Sequence, residues 1–284
     1  MDMQLKDKVI IVTGGAKGIG AGIVRACAAE GASPVIVGRD AETGKALQTE
    51  LLKNGRCGLI AMELSTPETC QQAIAQTLER FGRLDALVNN AGVNDSVGLE
   101  HGNPGEYVTS LNRNLVHYYC MAHYALPHLK QSKGSIVNIG SKTAVTGQGN
   151  TSGYASSKGA IMALTREWAV ELLPYSIRVN TVIPAEVMTP LYRHWLDTFP
   201  NPQEKLNSIV SKIPLESRMT TSEEIANDGL FAFGKIKPYD RATPVRGRGI
   251  RSPRSCIDIS RDMFGGYSDF GQQTQTVFKS PSDS

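Results

Sequence analysis

Short apolar runs rich in β-branched residues alternate along this chain with longer segments of helical periodicity, and that alternation limits the fold more than any other feature. The runs fall at residues 9–12, 34–37, 59–62, 86–88, 135–139 and 178–183, and the helical patterns between them at 19–30, 41–53, 67–81, around 115–129, and 154–173. Strands separated by helical segments imply right-handed βαβ crossovers. The expected fold is therefore α/β: a doubly wound parallel sheet of Rossmann type in three α/β/α layers. Its ligand site should lie beyond the carboxyl ends of the strands. At 284 residues the chain can bury a sizeable core without disulfides.

Composition narrows the class of function. A formal net charge of +3, with 20% charged residues, is too small to demand nucleic acid or an anionic membrane as partner. Cys27, Cys57, Cys70, Cys120 and Cys256 form no C-x-x-C pair, which argues for reduced thiols and against a zinc site. His101, His117, His123, His128 and His194 show no ligand pattern, so no metal is expected. The first residues lack an apolar signal region, and no run approaches the ~18 apolar residues of a membrane span. A cytoplasmic protein is expected.

The alternation stops near Asn227. Residues 1–227 are expected to form the α/β domain and 228–284 a flexible tail rich in Gly, Pro and Ser, leaving the sheet without a seventh strand. Arg241, Arg246, Arg248, Arg251 and Arg254 in that tail suit either a polyanion-binding arm or a plain solvated segment.

Thr13-Gly14-Gly15-Ala16-Lys17-Gly18-Ile19-Gly20 follows the first run and opens a helical segment. Glycines there let backbone N–H groups approach a pyrophosphate, and the helix N-terminus adds partial positive charge. In isolation such a cluster marks only a tight turn. The second run ends in Gly38-Arg39-Asp40, where an acid would grip the ribose of NAD and an arginine the extra phosphate of NADP. Arg39 comes first and favours NADP; Asp40 keeps NAD open. Glu63 and Leu64, after the third run, are placed to flank an adenine, and Asn89-Asn90-Ala91-Gly92 follows the fourth.

Tyr154 and Lys158 stand one helical turn apart on one face. An ammonium beside a phenol favours the phenolate, although an isolated Tyr-x-x-x-Lys is commonly a surface pair. Ser141 closes the fifth run, where the cleft is expected, and Asn114 precedes that run on the long helical stretch, able to hold a water linking Lys158 to solvent.

In order and spacing these residues resemble the short-chain dehydrogenase/reductase family over roughly residues 5–227: Thr13-Gly14-x-x-x-Gly18-x-Gly20, Asn89-Asn90-Ala91-Gly92, Asn114, Ser141, Tyr154-x-x-x-Lys158 and Pro184. The resemblance implies that Tyr154 is the general acid–base, Lys158 its activator and ribose anchor, Ser141 the group orienting the substrate oxygen, and Asn114 part of a proton relay. It places cofactor contacts at Gly14, Lys17, Gly18, Ile19, Gly20, Arg39, Glu63, Leu64, Asn90, Ala91, Gly92, Tyr154, Lys158, Pro184, Val187 and Thr189. It also implies a homo-tetramer if the C-terminus is intact. Pro184-Ala185 departs from the family's usual Pro-Gly.

The loops around the expected pocket are polar. Lys142, Gln148, Asn94 and Glu186 suit a polyhydroxylated ligand better than a steroid or fatty one, though loop solvation is the plain alternative. Within the family these stretches resemble bacterial L-fucose dehydrogenases, which implies oxidation of the anomeric hydroxyl of a sugar to the lactone, with Ser141 and Tyr154 on the reacting oxygen. The alternatives are a family member acting on a polyol or steroid, or a dinucleotide-binding remnant impaired by its altered C-terminus.

That C-terminus lacks the family's closing T-G-x-x-x-x-V-D-G-G pattern. Back-translated and read one nucleotide later, residues 240–257 permit T-G-Q-L-L-F-V-D-G-G-Y-V-H-L-D-R-A-L. One extra nucleotide near codons 227–228 accounts for both the missing pattern and the atypical tail.

Overall fold

A computed structural model of the chain describes residues 3–53, 55–233 and 245–246. The strands β1 (Val9–Thr13), β2 (Ser33–Gly38), β3 (Gly58–Ala61), β4 (Ala86–Asn89), β5 (Ser135–Ile139) and β6 (Arg178–Ile183) pair in parallel in the order β3-β2-β1-β4-β5-β6. This is the expected Rossmann-type α/β fold. From β1 the chain builds outward to β3, then returns to lay β4 on the other side of β1. The connections on the two sides of β1 and β4 therefore diverge, opening a crevice at their carboxyl ends.

The helices are α1 (Gly18–Ala29), α2 (Ala41–Leu51), α3 (Pro67–Phe81), α4 (Pro104–Leu111), α5 (His117–Ser132), α6 (Ser152–Glu171), α7 (Pro190–Leu196), α8 (Pro202–Val210) and α9 (Ser222–Phe233). Period-2 alternation distributes the strand side chains between two cores. Ile10, Val12, Ile36, Val88 and Val182 pack with Ile23 and Val24 of α1 and Ile225 and Leu230 of α9. Val9, Ile11, Val35, Leu87 and Val179 pack on the opposite face with Ile74 of α3, Met121 and Leu129 of α5 and Trp168 of α6.

Local sequence sets several boundaries. Thr66 and Thr69 exchange side-chain and backbone hydrogen bonds at the start of α3, Pro67 occupies its first turn, and Gly82 ends it at φ 73°. Asn103 and Glu106 form the equivalent box on α4, which Pro104 opens.

The helical pattern around 115–129 is only part of a longer rod. It begins with α4, passes through a π-helical turn at Asn112–Val116, and continues as α5. Side-chain periodicity does not reveal such a change of backbone pairing. The short helices α7 and α8 also went unread, because each spans too few turns to establish a period.

One expectation about the C-terminus needs correction. Residues 228–233, assigned to the tail, instead complete α9, with Leu230, Ala232 and Phe233 buried. The reason lies on β6: Arg178 donates to the carbonyls of Ala232, at 3.0 Å, and of Phe233, and Asn180 donates to that of Ala232 at 3.2 Å, satisfying the end of the helix. Beyond the expected six strands, a two-residue β7 (Val245–Arg246) pairs in parallel with Val182 and Ile183. The remaining arginines of the tail and Cys256 lie outside the described residues. Cys27, Cys57, Cys70 and Cys120 are free and buried. No helix among the described residues is long and apolar enough to cross a membrane.

Candidate active site

The glycine-rich turn lies at the crevice and is packed backbone to backbone. Gly14 takes φ +63° and donates its N–H to the carbonyl of Val37 at 2.7 Å. A Cβ on Gly20 would lie 2.3 Å from the carbonyl oxygen of Gly14 and 2.7 Å from the Asn90 amide nitrogen, so only glycine lets α1 start this close to the turn. Thr13 Oγ1 accepts from the N–H groups of Asn90, at 2.8 Å, and Ala91, at 3.0 Å, which fastens the Asn90-Ala91-Gly92 turn to the same structure. Lys17 caps α1 without a side-chain hydrogen bond, and the first turn carries no acid. A helix N-terminus free of both cap and carboxylate, behind a glycine cradle, fits the pyrophosphate of a dinucleotide. Gly18 lies under Thr189, which caps α7, a Cβ there falling 3.3 Å from the threonine Cβ.

At the end of β2 the two charged residues have separate partners. Asp40 accepts from the Thr43 N–H at 3.0 Å to cap α2 and pairs with Lys17 at 2.5 Å; these contacts, Lys17 foremost, hold its carboxyl down at about 2. Arg39 is exposed and reaches Glu63 at 3.3 Å. Leu64 packs against the core that holds Ile74, Met121 and Trp168.

Ser141, Tyr154, Lys158 and Asn114 converge from three elements. Ser141 caps a single 3-10 turn, Lys142–Ala144, its Oγ accepting from the Thr143 N–H at 3.3 Å and the Thr143 hydroxyl at 3.1 Å. Its own proton remains for Tyr154. Burial pushes the Tyr154 phenol up, and the Ser141 hydrogen bond works against that rise. Lys158 is 3% exposed, with Nζ 5.5 Å from the Tyr154 ring centroid. It donates to the Ile139 carbonyl at 2.7 Å and to Tyr118 Oη at 3.2 Å. Burial lowers Lys158 to about 7.

Asn114 sits in the π-helical turn, a feature frequent at functional sites. Its Oδ1 accepts from the Val93 N–H at 2.7 Å and its amide donates to the Ser110 carbonyl at 3.0 Å. Both ends of the side chain are thus taken by protein, and it fixes the loop after β4 beside the lysine. A Cβ on Gly92 would come within 2.9 Å of Asn114 Oδ1 and 3.9 Å of Lys158 Nζ.

Of the polar residues expected to meet a substrate, the fold joins Lys142 and Glu186 as an ion pair between the carboxyl ends of β5 and β6. The Lys142 N–H also reaches the Pro184 carbonyl at 2.9 Å, and the Glu186 carbonyl accepts from the Thr220 N–H at 2.9 Å. Val187 is buried and bridges to Thr220. Gln148 is exposed, and Asn94 accepts from the Ser96 N–H at 3.3 Å; neither is drawn into the Lys142–Glu186 cluster.

Sequence reasoning missed Tyr192, whose hydroxyl donates to Glu186 at 2.9 Å, and Tyr118, the partner of Lys158. Tyr118 follows Asn114 by four residues, but nothing in the text separates it from its neighbour Tyr119. His117 donates through Nε2 to the Arg113 carbonyl at 3.0 Å, while its buried Nδ1 has no partner. Burial holds its ring down at about 4.

The family model described as short chain dehydrogenase matches residues 8–198. The L-fucose dehydrogenase of Bos taurus is 35% identical over 232 residues, covering 81% of this chain and 84% of that protein. Among solved structures, Cj0485 dehydrogenase superposes with a TM-score of 0.82 at 41% identity, covering 89% of this chain and 100% of its own. The aldohexose dehydrogenase of Thermoplasma acidophilum gives 0.79 at 28% identity, covering 90% and 99%.

Proposed function

Because the chain belongs to the short-chain dehydrogenase family, we propose that it oxidises the anomeric hydroxyl of an aldopyranose such as L-fucose to the lactone, with NADP as the oxidant. The observation that carries the sugar reading is the Lys142–Glu186 pair with Tyr192 on it, one residue from Ser141 in sequence. A half-buried carboxylate held by two donors still has lone pairs for sugar hydroxyls, whereas a steroid would leave it desolvated and unpaired. The resemblance to L-fucose and aldohexose dehydrogenases supports the same reading.

The family's dinucleotide is NAD or NADP, and the residues present fit it. Gly14, Gly18, Ile19 and Gly20 with the N-terminus of α1 would hold the pyrophosphate, Asn90, Ala91 and Gly92 the inner wall, and Pro184, Val187 and Thr189 the nicotinamide side. NADP is favoured because Asp40 already serves Lys17 and the α2 cap, while Arg39, whose pair with Glu63 is exposed to solvent, can exchange that partner for a 2′-phosphate. When bound, NADP supplies the hydride acceptor for C1.

With substrate bound, the Ser141 hydroxyl turns its one proton from Tyr154 to the reacting oxygen and fixes that oxygen beside Tyr154. The Tyr154 phenolate takes the hydroxyl proton as the C1–H bond breaks, and Lys158, when charged, stabilises that phenolate. A raised phenol makes oxidation rise with pH and makes Tyr154 a competent acid for the reverse reduction. Glu186 and Lys142 hold the ring hydroxyls, with Asn94 and Gln148 on the rim. The tetramer is supported by apolar side chains exposed along the outer helices: Val108, Val116, Tyr119, Val170 and Leu173.

A substrate panel at fixed NADP tests the reading: L-fucose, other aldopyranoses, a polyol and a hydroxysteroid. Turnover of aldopyranoses with lactone formation is expected, together with a KM for L-fucose raised about tenfold in Glu186→Gln. Preference for the steroid, or an unchanged KM in that variant, overturns the sugar assignment.

A further inference from the structure

Lys158 is a buried cation whose hydrogen-bond partners among the described residues are all neutral. The groups around its ammonium can be taken element by element. On α6 itself, the Tyr154 ring centroid lies 5.5 Å from Nζ. From α5 come Tyr118, hydrogen-bonded to it, and His117, whose charge would oppose it but whose ring burial holds at about 4 and so leaves neutral at neutral pH. The end of β5 offers the Ile139 carbonyl, and the loop after β4 offers Gly92 and the neutral amide of Asn114. Among the described residues no carboxylate is hydrogen-bonded or ion-paired to the lysine, and burial lowers it.

In that setting Tyr118 has an unusual geometry. Its hydroxyl accepts from Lys158 at 3.2 Å and donates to the Ile139 carbonyl at 3.1 Å, the same oxygen that Lys158 reaches at 2.7 Å. Lysine, phenol and carbonyl close a three-membered ring of hydrogen bonds. Two of the three ammonium protons are thereby fixed in direction, with the Tyr154 ring centroid 5.5 Å from Nζ. Tyr118 is fully buried, so water does not replace its oxygen without a cavity. A phenol does what no apolar residue of the same size does: it accepts from the cation and disposes of its own proton on the carbonyl.

We propose that Tyr118 is a positioning residue for proton transfer, keeping the Lys158 ammonium charged and directed at Tyr154. This rests on the reading of Tyr154 and Lys158 as the proton-handling pair. The role has a signature that a packing role lacks. Removing the Tyr118 oxygen makes Lys158 easier to deprotonate. When the medium is acidic enough to keep the lysine charged anyway, little is lost; as pH rises, the variant loses its ammonium earlier than the parent. The deficit therefore widens with pH, whereas a general packing defect lowers the rate by one factor throughout.

The test is the pH profile of kcat/KM for sugar oxidation in Tyr118→Phe beside the parent, with thermal melts to confirm folding. The expected result is a loss of about tenfold above about pH 9, shrinking towards parity below about pH 6, one unit of lysine pKa being tenfold in its charged fraction. A deficit constant across the profile, or none, overturns the proposal. Should the phenylalanine variant not fold, Tyr118→Met fills the volume with a flexible apolar chain and must show the same widening deficit. Tyr154→Phe, assayed alongside, separates the two levels. If it retains turnover, the reading of the pair fails; if it is inactive while Tyr118→Phe shows a flat deficit, only the role of Tyr118 fails.

Discussion

The side-chain amide of Asn90 donates to the backbone carbonyl of Thr13 at 2.9 Å, joining the turn after β4 to the turn after β1. These turns flank the crevice where the sheet's connections diverge, so this hydrogen bond, with those that Thr13 Oγ1 accepts from the Asn90 and Ala91 N–H groups, spans the floor of the proposed cofactor site. It makes the glycine-rich turn and the Asn90-Ala91-Gly92 turn one rigid cradle.

Gly20 is the tightest point of that cradle. Gly20→Ala would force a methyl to within 2.3 Å of a backbone oxygen that cannot move without dragging Asn90. The variant should lose about 2 kcal/mol of stability, as overpacked sites do, and bind cofactor at least tenfold more weakly. Thermal melts and a fluorescence titration with NADPH check both; unchanged affinity would show that the turn is not the pyrophosphate cradle.

Arg39 decides the cofactor preference in the proposed arrangement. Arg39→Ala should raise the KM for NADP by about tenfold or more while leaving that for NAD nearly unchanged, because only the 2′-phosphate offers the guanidinium a charge-assisted bond. Parallel kinetics with the two cofactors decide it. Equal losses with both would move the arginine's role to the Glu63 pairing alone.

Burial of Lys158 predicts a pH dependence of stability. Its pKa stands at about 7 in the folded chain against 10.5 ordinarily. Between those values the unfolded chain binds the extra proton, so this group's contribution to unfolding free energy rises with pH across the window. The destabilisation is fully present below about pH 7. Lys158→Met should therefore be more stable than the parent at pH 7, and the gap should close as pH approaches 10. Denaturant melts across that range measure it, and a gap independent of pH would rule out the titration.

The short β7 bears on the reading frame. In the frame read one nucleotide later, Val245 and Arg246 become the F-V of T-G-Q-L-L-F-V-D-G-G, and these are the two positions that pair with β6. A gene corrected by one nucleotide near codons 227–228 should yield a protein that melts several degrees higher, with a full seventh strand covering an otherwise open edge. Resequencing codons 222–260, followed by melts of both versions, gives the answer. An unaltered frame with equal stability would establish the written tail as native.

What the text of the chain determines is local in sequence. The alternation of apolar runs and helical periods dictates a parallel sheet because each element must bury its apolar side and each crossover has one favourable hand. The glycines must follow β1, since the tight turn and close helix start admit no Cβ. Tyr154 and Lys158 share a face because a helix puts i and i+4 together. Tertiary structure alone decides the rest. Tyr118 and Tyr119 are adjacent and alike in the text, yet Tyr118 is fully buried against Lys158 while Tyr119 is 55% exposed. Lys142 and Glu186 meet only because β5 and β6 are neighbours in the sheet. Whether a lysine stays charged depends on how much water the fold removes from it and which oxygens it supplies instead. Desolvation and hydrogen-bond partners come from every side at once, and no stretch of sequence contains them.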